Sequence, residues 1–113
     1  MLTIENLKEY GVAVEKGISR CGNNEALYLR LVGICADELR EDKLGEALKV
    51  GDLDRAFDIA HKLKGSVTNL ELLPISRPIC ELTDLLRNKT PGEYEKLHAL
   101  IVLKQNELTE LMK

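Results

Sequence analysis

Leu53-Asp54-Arg55-Ala56-Phe57-Asp58-Ile59-Ala60-His61-Lys62-Leu63-Lys64-Gly65-Ser66-Val67-Thr68-Asn69-Leu70 reads as one amphipathic helix. Leu53, Ala56, Phe57, Ala60, Leu63, Val67 and Leu70 recur at three- and four-residue spacing and make a single apolar stripe. At about 100° per residue, the centre of that stripe lies roughly 120° from a patch formed by His61, Gly65 and Thr68. The spacing therefore predicts His61 on the solvent side of the helix. Lys64 falls nearer the core edge, where its stem packs while its ammonium reaches water. Gly51 closes the preceding segment and Asp52 is placed to cap this one.

Upstream, a long helical pattern runs from about Glu25 to about Lys49, with Asn23 or Asn24 as its N-cap. Its apolar positions include Leu27, Leu31, Ile34, Cys35, Leu39, Leu44 and Leu48. Gly33 and Gly45 lie inside it, each costing about 1 kcal/mol relative to alanine, so a bend or break is expected near Gly45. Two shorter segments precede it, Leu2 to Tyr10 and Val12 to Arg20, separated by Gly11 and closed by Cys21-Gly22-Asn23-Asn24.

Downstream, Leu73-Pro74-Ile75-Ser76-Arg77-Pro78 marks a break and restart. Proline is tolerated in a first turn and harmful further in. Either Pro74 opens the next helix and Pro78 kinks it, or that helix begins near Ser76. It continues through Ile79, Leu82, Leu85 and Leu86 to about Asn88. Thr90-Pro91-Gly92-Glu93 fits a capping box with proline at the first helical position. The last helix carries Tyr94, Leu97, Leu100, Ile101, Leu108 and Leu111. Strand-like alternation is missing, and the aromatics that favour strands are thin, with one Phe, three Tyr and no Trp. Four substantial amphipathic helices with short connections predict an all-α antiparallel four-helix bundle, with one or two short N-terminal helices covering one end. Residues 1–113 are expected to form a single domain.

The 113 residues suffice for a real core, and 44% hydrophobic with 31% charged residues fits a soluble globular chain. A net charge of −3, with no basic stripe, weighs against nucleic acid as a partner. No apolar run approaches the 18 or so residues of a membrane span, and the start lacks the basic and apolar regions of a secretion signal. Cys21, Cys35 and Cys80 are odd in number and widely spaced, which suits reduced structural thiols in a cytoplasm and no metal site.

The chemistry resides in Ala60-His61-Lys62-Leu63-Lys64-Gly65-Ser66. A neutral imidazole offers a free nitrogen lone pair near pH 7 and can attack phosphorus directly. Phosphoryl transfer depends mostly on positioning and charge neutralisation. Lys64 offers a mobile ammonium for phosphoryl oxygens, and Gly65 leaves room for another protein to approach the ring. On its own, a His-x-x-Lys-Gly on a helix is most often an ordinary solvated face; its setting lifts it above that. His98, the second histidine, reads as a structural boundary residue of the last helix.

Ala60 to Leu70 resembles the signature of histidine-containing phosphotransfer (HPt) domains, in which alanine-histidine-any-leucine-lysine-glycine-serine is followed four residues later by an apolar position. Gly22 to Tyr28 resembles the loop and helix start before the family's long helix, and Ala47 to Leu53 the turn before its phosphoacceptor helix. The resemblance spans about Leu7 to Leu111. It implies a four-helix bundle with His61 exposed midway along one helix. His61 would be the phosphoacceptor, taking a phosphoryl group from a receiver-domain aspartyl phosphate and passing it on. Lys64 would steady that group and Gly65 would keep the site open. No cofactor is expected on this chain, with Mg2+ held by the receiver. Partners would be response-regulator receiver domains and a hybrid histidine kinase, meeting the face of Phe57, Asp58, Lys64, Gly65 and Thr68. A cytoplasmic monomer that carries the group without turnover chemistry of its own is the simplest form. A docking protein of the same fold that carries no phosphate is the alternative, and a helical scaffold with an incidental His61 is a third reading. One departure stands out: Glu71 occupies a position where many members have glycine.

Overall fold

Asp42 divides the long upstream helical pattern in two. The computed structural model describes residues 1–90 and 92–113. Its helices are α1 (Ile4–Tyr10), α2 (Val14–Arg20), α3 (Glu25–Glu41), α4 (Lys43–Lys49), α5 (Leu53–Asn69), α6 (Leu73–Arg87) and α7 (Tyr94–Leu111). Asp42 ends α3 in the left-handed region, at φ 49°, and its carboxylate accepts the Gly45 N–H at 3.1 Å to start α4. The break thus falls three residues before Gly45. A Cβ at Gly45 would run into Asp42 and lie 2.7 Å from His98 Nε2, so this glycine makes room for a cap and is not itself the hinge. His98 on α7 reaches the same carboxylate at 2.9 Å. A carboxylate only accepts, so the His98 Nε2–H is the donor. His98 thereby ties α7 to the α3–α4 junction.

The four-helix bundle is present. α5 packs against α4 on one side and α6 on the other, α6 packs against α7, and α7 closes on α3. The α5–α6 link is only Leu70–Leu72, which forces those helices antiparallel. Buried side chains form one continuous core, including Val32, Ala36, Leu44, Ala60, Val67, Ile79, Leu82 and Leu108. α1 and α2 cap one end through the fully buried Leu7 and Val14. α1 begins with a reciprocal capping box, Thr3 Oγ1 accepting the Asn6 N–H at 3.0 Å and Asn6 Oδ1 accepting the Thr3 N–H at 2.9 Å.

Two expectations about the elements are corrected, and one pair of alternatives is decided. Leu27, Ile34 and Leu100, assigned to apolar stripes, are exposed, at 38%, 48% and 39%. The buried stripe of α3 joins Tyr28, Val32 and Ala36 to the expected Cys35 and Leu39, and its centre lies roughly 130° from Leu27 and Ile34. The capping box expected over Thr90 to Glu93 does not begin α7, which starts at Tyr94 after Glu93, a residue that makes no side-chain cap bond. Pro91, the residue expected at the first helical position, lies outside the described residues. The α6 restart follows the first of its two alternatives, opening at Leu73 with Pro74 in the first turn and Pro78 buried inside the helix. Pro78 has no N–H to give the Pro74 carbonyl, and the fully buried Ile75 and Ile79 anchor the turn around it.

The C-terminal end of α5 explains the Glu71 departure. Glu71 sits at φ 59°, a conformation that glycine adopts without penalty. Arg20 Nη1 holds it there, 2.9 Å from Glu71 Oε1, and donates to the Thr68 carbonyl at 2.8 Å. Beneath this corner the fully buried Tyr28 donates its hydroxyl to the Leu70 carbonyl at 2.8 Å, and burial pushes that phenol's pKa up. Gly17 packs against the Tyr28 ring. A Cβ there would collide with the ring and sit 3.0 Å from the Leu70 carbonyl oxygen. Gly17→Ala is expected to destabilise the fold by about 2 kcal/mol through this overpacking. A thermal melt should show the midpoint falling by about 10 °C.

Candidate functional site

α5 is fixed at both ends and on one face. Asp52 accepts the Arg55 N–H at 3.1 Å at its start, and Arg20 and Tyr28 bind its last carbonyls. Ala56, Ala60 and Val67 are fully buried against the neighbouring helices. The opposite face, with Asp58, His61, Gly65 and Thr68, is exposed. His61 thus stands midway along a rigid helix with its ring outside the core.

Lys64, one turn further on, is half-buried, and among the described residues its ammonium has no carboxylate within ion-pairing distance. Its stem packs at the edge of the bundle and the charge is available to an incoming anion. Gly65 adjoins His61 on the exposed face. A Cβ at Gly65 would meet nothing within 4 Å. Packing inside this chain therefore gives no reason for the glycine, in contrast to Gly17 and Gly45. The Thr68 hydroxyl is engaged with the Lys64 carbonyl, a local bond one turn back along the helix.

Phe57 is half-buried, not fully covered, and its ring lies against that of His61. The two rings are stacked, with centroids 5.7 Å apart and planes within 15°. From the last turn of α6, Arg87 brings its guanidinium carbon 5.7 Å from the Phe57 centroid. Phe57 and Asp58 line a cleft of about 270 Å³ between α5 and α6, together with Asp54, Leu86, Arg87 and Lys89. Lys89 and Asp54 pair across it at 3.7 Å.

The structure therefore gathers His61, Lys64, Gly65, Phe57, Asp58 and Thr68 on or beside one face of α5. Sequence reading missed Arg87. No local pattern announces it, because it reaches the site only through the antiparallel pairing of α5 with α6. The Phe57–His61 stack had a signal, an aromatic pair at i and i+4.

A family model for the Hpt domain matches residues 30–112, and the chain belongs to that family. The match takes in most of α3 and all of α4 to α6, and reaches the end of α7. Hpt domains are helical-bundle phosphocarrier modules that serve histidine phosphotransfer in phosphorelays, meeting receiver domains and kinases. Comparison with curated proteins and with solved structures found no match. No helix among the described residues is long and apolar enough to cross a membrane.

Proposed function

We propose that this protein is a histidine phosphotransfer module in which His61 accepts a phosphoryl group from a receiver-domain aspartyl phosphate and passes it to another receiver. A ring nitrogen of His61 bonds to phosphorus as the P–O bond to the aspartyl carboxylate breaks, and the carboxylate leaves. The phosphoimidazole keeps enough transfer potential for the reverse step on a second receiver. Lys64 steadies the phosphoryl oxygens with its ammonium, and Gly65 lets the partner's site close over the ring. Asp58, Thr68 and the exposed part of Phe57 border the contact surface. The Mg2+ that receiver chemistry uses belongs to the receiver, and no cofactor is assigned to this chain. A hybrid histidine kinase is a fitting upstream partner, and a cytoplasmic monomer is the fitting form. Nucleic acid and membrane are not proposed as partners.

The observation that carries this reading is His61 exposed in mid-helix, beside an open Gly65 and one turn from Lys64, in a chain of the Hpt family. The test is transfer from a panel of 32P-labelled receiver domains to the purified protein. Acid-labile, alkali-stable label on the wild type is expected. Lys64→Ala should slow its appearance about tenfold, which corresponds to about 1.4 kcal/mol of lost transition-state stabilisation. Receiver binding with no label from any receiver would favour the docking-only reading. No receiver binding, with the protein folded, would leave a scaffold.

A further inference from the structure

An exposed histidine on a helix ordinarily samples several side-chain rotamers, and only some aim a ring nitrogen for in-line attack. Among the described residues no group hydrogen-bonds the His61 imidazole; its neighbour is the Phe57 ring, parallel to within 15° at 5.7 Å. Phe57 is itself constrained. Its backbone is one turn earlier on the same rigid helix, its body is half-buried, and Arg87 lies against its ring. Arg87 is steadied by Asp84 at 3.4 Å, one turn back in α6. Arg87, Phe57 and His61 thus form a column that runs from one helix across the α5–α6 cleft to the proposed acceptor.

We propose that Phe57 is a positioning residue for phosphoryl transfer at His61, holding the imidazole in the orientation that presents a ring nitrogen to the donor, with Arg87 fixing the Phe57 ring in turn. This rests on the carrier reading of His61. Stacking orients the ring and leaves both of its nitrogens unblocked, which a hydrogen bond to either would not do.

Phosphoramidate is the donor that tests this without a receiver. A His61 ring nitrogen bonds to phosphorus as the P–N bond to ammonia breaks, and ammonia departs with the proton. The full chain and its variants are followed by 31P NMR for phosphoimidazole and by 1H NMR for the His61 ring protons. Phe57→Leu keeps apolar bulk and removes the ring. It is expected to slow labelling about fivefold and to remove the ring-current shift from the His61 protons. Phe57→Tyr should restore both to near the wild-type values, which a purely structural role for Phe57 would not require. Arg87→Gln should give a smaller loss in the same direction. A folded Phe57→Leu protein that labels at the wild-type rate overturns the proposal while leaving the carrier reading intact. Wild type that takes no phosphoryl group from phosphoramidate or from any receiver defeats the carrier reading, and the proposal falls with it.

Discussion

His61→Gln is expected to take up no phosphoryl group from any labelled receiver, while its affinity for those receivers stays within about threefold of wild type. Glutamine reaches to a similar distance and keeps polar atoms at the tip. Its amide nitrogen is delocalised into the carbonyl and has no lone pair to offer phosphorus. The substituted residue is exposed and lies outside the core, so the fold should be undisturbed. The pairing of intact binding with absent label is what separates an acceptor from a contact residue. Native binding assays beside the transfer assay read both. If the variant labels as well as wild type, the phosphoryl group is on another residue.

Gly65→Gln should divide stability from function in the opposite sense to most core changes. The position is in the interior of α5, where glycine is the costliest ordinary residue, and a side chain there projects into open space. The variant is therefore expected to gain a little under 1 kcal/mol, raising the melting midpoint by about 4 °C. Transfer from receivers should fall about a hundredfold, because a side chain beside His61 displaces the partner's phosphoryl site by more than an ångström. Labelling by phosphoramidate, a donor of only a few atoms, should fall far less. Gly65→Ala should be more stable than wild type and intermediate in transfer. A stabilised Gly65→Gln protein that accepts phosphoryl groups from receivers at the wild-type rate would remove the access role from this glycine.

The contrast between Gly65 and Gly17 shows what the sequence holds and what it does not. Both are mid-helix glycines. Gly17 is required by the Tyr28 ring packed on it, and Gly65 by nothing inside the chain. Only the three-dimensional neighbours tell them apart, whereas the Hpt-like residues around Gly65 are visible in the sequence. The period of α5 was readable because Gly51 and Asp52 punctuate its start and its stripe is continuous. A break near Gly45 was readable from that glycine, but its place at Asp42 was not, because it depends on a left-handed residue held by its own cap and by His98 from the far end of the chain. The face of α3 was misjudged for a related reason. Cys35 and Leu39 from the expected stripe are buried, but Leu27 and Ile34, which share its three/four spacing, are not; the side on which other helices pack also takes in Tyr28, Val32 and Ala36. Glu71 stands where many family members have glycine, and the residue that holds it, Arg20, lies some fifty residues earlier in the chain.

The same limit governs the site. His61, Lys64 and Gly65 lie on one helix, so their proximity follows from spacing alone. Arg87 comes from another element, and its approach to Phe57 needs the register of α5 against α6.

The central claim is that this protein carries a phosphoryl group, which requires both acceptance and release. The direct measurement is a chase. The protein is labelled from a 32P-receiver, separated from it, and mixed with an unlabelled receiver and Mg2+. Label should leave His61 and appear as an alkali-labile aspartyl phosphate on the receiver. Label that never reaches the protein, or that reaches it and is lost only to water in the presence of every receiver tested, would contradict a carrier.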